Sequence, residues 1–196
     1  DVLGWVRPTS GDNEIIVVTE QGKALRYHED QVRPMGRPAA GVKAITLAKG
    51  DVVTSMDVVD PEGDLLVVTT KGYGKRTPLE EYSPKGRGTQ GVITLSKQKR
   101  KVTGLIASAR VVTEDDDLTM ISSGGIVMKT KVKQISQMGR AAMGVRVMDL
   151  KKGETVASVA ISSAKEMKKA GLEDDDQGDD NAEEKSNTKG KDKKKD

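Results

Sequence analysis

Three copies of one pattern constrain this chain more than anything else in it. MGRPAAGV (35–42), KGRGTQGV (85–92) and MGRAAMGV (138–145) share the form G-R-x-x-x-G-V. Their arginines, Arg37, Arg87 and Arg140, lie 50 and then 53 residues apart. Upstream of each is an apolar run that closes on a glycine: IIVVTEQG (15–22), LLVVTTKG (65–72) and LTMISSGG (118–125). Gly22, Gly72 and Gly125 keep the same two intervals. Downstream, a second Val-rich run returns at 52–59, 102–112 and 155–162. Units of this size cannot bury their apolar faces alone, so the repeats must pack on one another.

Each copy reads as four short strands. The first is continuously apolar, the signature of a strand buried on both faces. A tight turn at its glycine makes a hairpin with a second strand that mixes basic and apolar residues: KALRYH (23–28), YGKRTP (73–78) and IVMKTK (126–131). The residues then suggest a second hairpin, with strands three and four joined through KGD (49–51) or KGE (152–154). Four strands in roughly fifty residues is the spacing of propeller blades. The chain therefore reads as all-β and propeller-like. Residues 1–13 read as the end of a preceding blade, and 14–63, 64–116 and 117–164 as three blades. From 165 to 196 we expect a short helical turn and a disordered tail, because that segment is too polar to offset its ordering entropy.

Composition narrows the chemistry. The chain of 196 residues has no Cys and one His. A disulfide framework, a thiolate site and a multi-histidine zinc site are thereby excluded. No apolar run approaches the length of a membrane helix, so we expect no membrane partner and a cytoplasmic location. Ten acids and six bases fall in 171–196, which leaves the rest of the chain clearly basic. A basic body attracts polyanions, above all nucleic acid. With few aromatic residues to stack on single strands, duplex is the expected form.

The candidate contacts follow from this. Arg37, Arg87 and Arg140 sit in glycine-flanked loops where a guanidinium can meet phosphate, and they read as separable from the fold. The flanking glycines read as turn chemistry. The second strands offer Lys23 and Arg26, Lys75 and Arg76, then Lys129, Lys131 and Lys133, the last three at period two and so on one face of a strand. Lys43, Lys85 and Arg146 flank the loops. Lys97, Lys99, Arg100 and Lys101 form a denser basic cluster that reads either as lying beside the path of the duplex or as a flexible exposed hairpin. Asp115, Asp116 and Asp117 read as a solvated loop tip, and the tyrosines as packing residues. GRGTQG (86–91) fits a dinucleotide fingerprint in letters only, because a strand follows it where a helix is required. No catalytic residue and no metal ligand is expected.

The loops and the runs EIIVVTEQGKALRYHEDQVRPMGRPAAGV, LLVVTTKGYGKRTPLEEYSPKGRGTQGV and DLTMISSGGIVMKTKVKQISQMGRAAMGVRVMDL resemble the C-terminal domain of DNA gyrase A and its homologue in topoisomerase IV. The resemblance spans about residues 1–164 and has an actinobacterial flavour. It implies a β-pinwheel whose neighbouring blades exchange strands, with duplex DNA wrapped around a basic rim. It also implies partnership with the catalytic core of gyrase A and with gyrase B. Those parts would hold the ATP and magnesium chemistry, so no cofactor is expected here. The box Q-R-R-G-G-K-G that marks the gyrase version is not in this chain; KGRGTQG (85–91) echoes it at Arg87, Gly88 and Gly91.

Overall fold

The computed structural model describes residues 3–170. Residues 171–196, on which the reading of a disordered tail falls, lie outside the described residues. The strands run in order β1 (Glu14–Thr19), β2 (Lys23–His28), β3 (Val53–Val58), β4 (Asp64–Thr69), β5 (Tyr73–Pro78) and β6 (Val92–Ile93). A short helix α1 (Lys97–Thr103) follows, then β7 (Ile106–Val112), β8 (Asp117–Ser122), β9 (Val127–Lys131), β10 (Val145–Arg146), β11 (Val156–Ser162) and α2 (Ala164–Lys169). The fold is all-β with two short helices.

The apolar runs form β1, β4 and β8, each paired antiparallel with the strand after it. The hairpin turns close at Gly22, Gly72 and Gly125, all at positive φ. Strand neighbours in the three sheets are β3-β1-β2-β6, β10-β5-β4-β7 and β11-β8-β9. The expected second hairpin within each copy does not form. β6 belongs to the second repeat but pairs with β2 of the first, and β10 belongs to the third but pairs with β5 of the second. Each of the first two blades thus receives a strand from its successor, as the resemblance implied. The KGD and KGE turns connect two blades.

The reason lies in the turn glycines and the loop that follows. Gly22 C=O accepts from Thr94 N–H at 2.9 Å and Leu95 N–H at 3.2 Å. Gly72 C=O accepts from Val147 and Met148 in the same way, at 2.8 and 3.1 Å. To lie this close, the second glycine of the second and third G-R-x-x-x-G loops must touch the receiving strand, whereas a Cβ at Gly41 would meet nothing within 4 Å. Gly144 takes φ 91°, and a Cβ there would sit 2.6 Å from Gly74 O. At Gly91 a Cβ would collide with Ala24 O.

Two-sided burial follows from blade stacking. Ile16 and Val18 of β1 pack with Leu65 and Val67 of β4 in one cluster. Leu66 and Val68 of the same β4 pack with Leu118 and Met120 of β8 in the next. Alternate residues of one strand therefore serve two interfaces. β3, β7 and β11 pack in succession and lie innermost, which puts β6 and β10 at the outer edge. Two ends of the pattern are open. Residues 42–47, the counterpart of β6 and β10, form no strand, and β9 has no further strand beside it among the described residues.

The close approach predicts an asymmetry between the two glycines of a loop. Gly91→Ala and Gly144→Ala are expected to destabilise the chain by about 2 kcal/mol or more, since both strain φ and collide with backbone. Gly86→Ala, whose Cβ would come no nearer than 4.0 Å to Thr89, is expected to be near neutral. Urea unfolding of the three variants checks this.

Candidate nucleic-acid interface

The second and third G-R-x-x-x-G-V loops lie along the outer edge because they lead into the donated strands β6 and β10, and the run after the first loop lies beside the second, where Gly88 N–H bonds Ala44 O at 2.7 Å. Lys85 N–H bonds Arg26 O at 2.9 Å, and Met138 N–H bonds Arg76 O at 2.8 Å, so the second and third loops each begin on the preceding blade's second strand. Arg87 donates from Nε to Gln31 O at 3.0 Å and from Nη1 to Lys43 O at 2.5 Å. Its backbone N–H also bonds Gln31 Oε1 at 2.6 Å. Arg140 repeats the arrangement one blade on. Its backbone N–H bonds Glu81 Oε2 at 2.7 Å and its Nη1 bonds Glu81 O at 3.3 Å. These arginines clamp a loop to the blade before it, so they are not separable from the fold. Each uses only part of its five-donor fork, and the remaining N–H groups are available to an anion. Arg37 is exposed and has no hydrogen-bond or ion-pair partner among the described residues.

The second strands are a different matter. Lys75 is 1% exposed and Arg76 5% exposed, so neither can reach a phosphate. Arg76 donates from Nη1 to Asp64 at 2.8 Å and Glu114 at 3.1 Å, and from Nε to Ile135 O at 2.8 Å. Arg26, fifty positions earlier, pairs in the same way with Glu14 and donates to Leu79 O. These two arginines hold neighbouring blades together. The expected cationic track along the second strands is corrected accordingly: at this position in the first two blades the charge faces inward.

Lys75 stands where the first repeat has the core residue Leu25. Its ammonium lies under the third loop and donates to Thr94 O at 2.9 Å, Gly139 O at 3.3 Å and Arg140 O at 2.6 Å. Burial pulls its pKa down to about 8, with the neighbouring Lys99 charge acting in the same direction. It is a positioning residue for the Arg140 loop.

In the third blade Lys129 and Lys131 are exposed on one face of β9, and both pair with Asp117, at 3.5 and 2.7 Å. Lys133 does not share that face, because β9 ends at Lys131 and Lys133 lies in a single 3-10 turn. Asp117 and Asp116 are buried, so only Asp115 of that acidic run is solvated. Lys43 and Lys85 are exposed, with ammonium groups that meet no partner among the described residues, and Lys23 is half-buried beside β6. Arg146 lies over the Tyr73 ring at 5.6 Å and pairs with Asp149 at 3.3 Å. The outer edge thus carries Arg37, Lys43, Lys85, Arg87, Arg140 and Arg146. Sequence reasoning missed Gln31 and Glu81 as anchors. Their own interval of 50, equal to that of Arg37 and Arg87, was the available signal.

Blades that donate a strand backward, stack in succession and carry cationic loops outside define a strand-exchanged β-propeller with a basic rim. The model of the family "DNA gyrase C-terminal domain, beta-propeller" matches residues 13–60, 63–113 and 116–163. The chain belongs to that family. DNA gyrase A of Staphylococcus epidermidis is 43% identical over 162 residues, which cover 82% of this chain and 18% of that protein. A solved DNA gyrase A C-terminal domain superposes with TM-score 0.71 at 29% identity, covering 76% of this chain and 50% of that one. The C-terminal domain of a DNA topoisomerase IV gives TM-score 0.74 at 28% identity, covering 79% and 48%. The chain therefore spans less than a fifth of its curated relative and about half of the solved domains.

Lys75 supplies a pH test of this geometry. An unfolded lysine titrates near 10.5 and the folded one near 8. Below pH 8 both states hold the proton and the cost of burying the charge is felt in full. Between pH 8 and 10.5 the folded chain sheds it first, so stability from this group rises with pH, by about 3 kcal/mol at most. Lys75→Met is expected to lose that rise. Urea unfolding of both chains at pH 7 and pH 10 checks it.

Proposed function

We propose that this chain is a DNA-binding and DNA-wrapping module of a type IIA topoisomerase, the C-terminal part of a gyrase A protein. The observation that supports this most is the recurrence of exposed or half-exposed cations at one position of the repeat, the G-R-x-x-x-G-V loop, along the outer edge of successive blades. Such a row meets phosphates at intervals, releases counterions and reads no base directly. Bending duplex costs several kcal/mol per short segment, and distributed ionic contacts offset it. A rigid β scaffold suits this role, because the contacts must keep their curvature under that load.

On this reading the module supplies geometry and no catalytic group. It presents bent duplex to the catalytic core of gyrase A, which acts with gyrase B in a heterotetramer whose ATP-dependent strand passage introduces negative supercoils. The setting is cytoplasmic, at the nucleoid; no helix among the described residues is long and apolar enough to cross a membrane. The solved topoisomerase IV domain favours a second reading, the homologous module of that enzyme. The higher identity to gyrase A supports the first. Binding that is tight and insensitive to salt, to a protein in place of DNA, would instead mark an interaction scaffold.

The test uses cations without a structural duty. Arg37→Glu, Lys43→Glu and Lys85→Glu together are expected to weaken duplex binding at least tenfold at low salt. They should also flatten the log–log salt dependence by as much as about 2.7, at 0.9 per lost phosphate contact. Thermal unfolding should barely move. Unchanged affinity and unchanged salt slope would overturn the wrapping proposal.

A further inference from the structure

The repeats differ in length at one place. From the loop glycine to the innermost strand the first and third copies take twelve steps, Gly41 to Val53 and Gly144 to Val156, whereas the second takes fifteen, Gly91 to Ile106. The three additional residues account for the 53-residue interval, and they fall where α1 forms. Where the other copies turn through Lys49-Gly50-Asp51 and Lys152-Gly153-Glu154, the second copy makes a helix with the sequence KQKRKVT.

That exchange alters charge for a definite structural reason. In the first copy Asp51 Oδ1 accepts the backbone N–H of Gln21 at 2.9 Å. In the second copy the equivalent N–H, on Lys71, bonds Thr103 O at 3.1 Å. A neutral carbonyl at the end of α1 does the work of the carboxylate. The acid has gone, and four cations stand where the first copy's turn has Lys49 alone.

The helix is held firmly. Arg100 Nη1 bonds Gln21 Oε1 at 3.1 Å, across to the first blade's turn. Lys71 Nζ bonds Lys101 O at 3.2 Å, and Lys99 Nζ bonds Ala141 O, beside Arg140 in the third loop. Lys97 and Lys101, four apart on the helix and so on one side of it, are exposed, and their ammonium groups have no partner among the described residues. Cations fixed on a tethered helix that adjoins the rim are a different thing from flexible surface lysines.

We propose that α1 is a second DNA-contacting element. It would carry the cationic track from the rim, at the Arg140 loop, onto the face of the disc that bears the hairpin turns, and Lys97 and Lys101 would contact the duplex backbone there. The proposal rests on the wrapping reading and adds a contact that the repeated loops do not supply. An acidic polypeptide is the competing occupant. DNA is favoured because α1 is continuous with the cationic loops.

The experiment uses the full chain and a long linear duplex of random sequence. Lys97→Glu with Lys101→Glu is expected to weaken binding about tenfold at low salt and to reduce the salt slope by as much as about 1.8. Lys97→Arg with Lys101→Arg should restore both. The control is Lys168→Glu with Lys169→Glu, the same charge change on α2, which sits at the opposite end of the strands beside Asp116. An equal loss in the control would overturn the proposal in favour of overall net charge. Intact DNA binding in the α1 variant, beside a loss in the Arg37, Lys43 and Lys85 variant, would overturn it and leave wrapping standing. Loss in neither would overturn both. Loss of binding to polyglutamate with DNA binding kept would overturn it in favour of a protein-binding surface.

Discussion

The two amide hydrogens that meet the carbonyl of each turn glycine, Gly22 and Gly72, tie one repeat to the next. Through them a blade is completed by residues some seventy positions later in the chain, and most of the architecture depends on that. A donated strand must pass flat across the receiving hairpin, so the loop that delivers it can carry no Cβ at Gly91 or Gly144. The same passage sets the loop arginine against the preceding blade, where Arg87 and Arg140 find the backbone carbonyls of Gln31 and Glu81. Backward donation also explains why residues 42–47 form no strand and why β9 has no further strand beside it among the described residues.

Burial divides the basic residues into two populations. Arg26, Lys75 and Arg76 work between blades, where each cation meets a carboxylate or several carbonyl oxygens. A cation taken out of water needs such partners, and leaving one unmatched would cost several kcal/mol. Arg37, Lys43 and Lys85 keep their charge in solvent, where it is free to act on an external polyanion. Arg87 and Arg140 belong partly to both groups. Their guanidinium planes are pinned on one side, which lowers the entropy lost when the other side meets a phosphate. A rim built in this way has two of its arginines held in place, which suits the proposed wrapping role.

The fold was legible to the extent that periodicity carries it. Continuous apolar runs marked β1, β4 and β8, because alternate side chains of one strand pack against two different blades. Positive-φ turns were legible at Gly22, Gly72 and Gly125. The pairing partner of the donated strand was not legible from the residues, since GVI and GVR are as compatible with a local hairpin as with donation to a neighbour. The site was read less well. Lys75 and Arg76 carry the same letters as surface cations, and only the packing of a following blade over β5 removes them from solvent. Likewise the basic run at 97–101 reads as a loop until the carbonyl of Thr103 is seen doing the work of an absent carboxylate.

By itself the sequence determined that three like units of short strands would stack, that the assembly would be basic, and that arginines would recur before each third strand. Those follow from hydrophobic period, composition and register, all of which are local. Tertiary structure alone decided which blade receives each strand, which cations face outward, and that an arginine can be clamp and contact together. These depend on what lies across an interface from residues fifty or more positions away, and no local pattern specifies it.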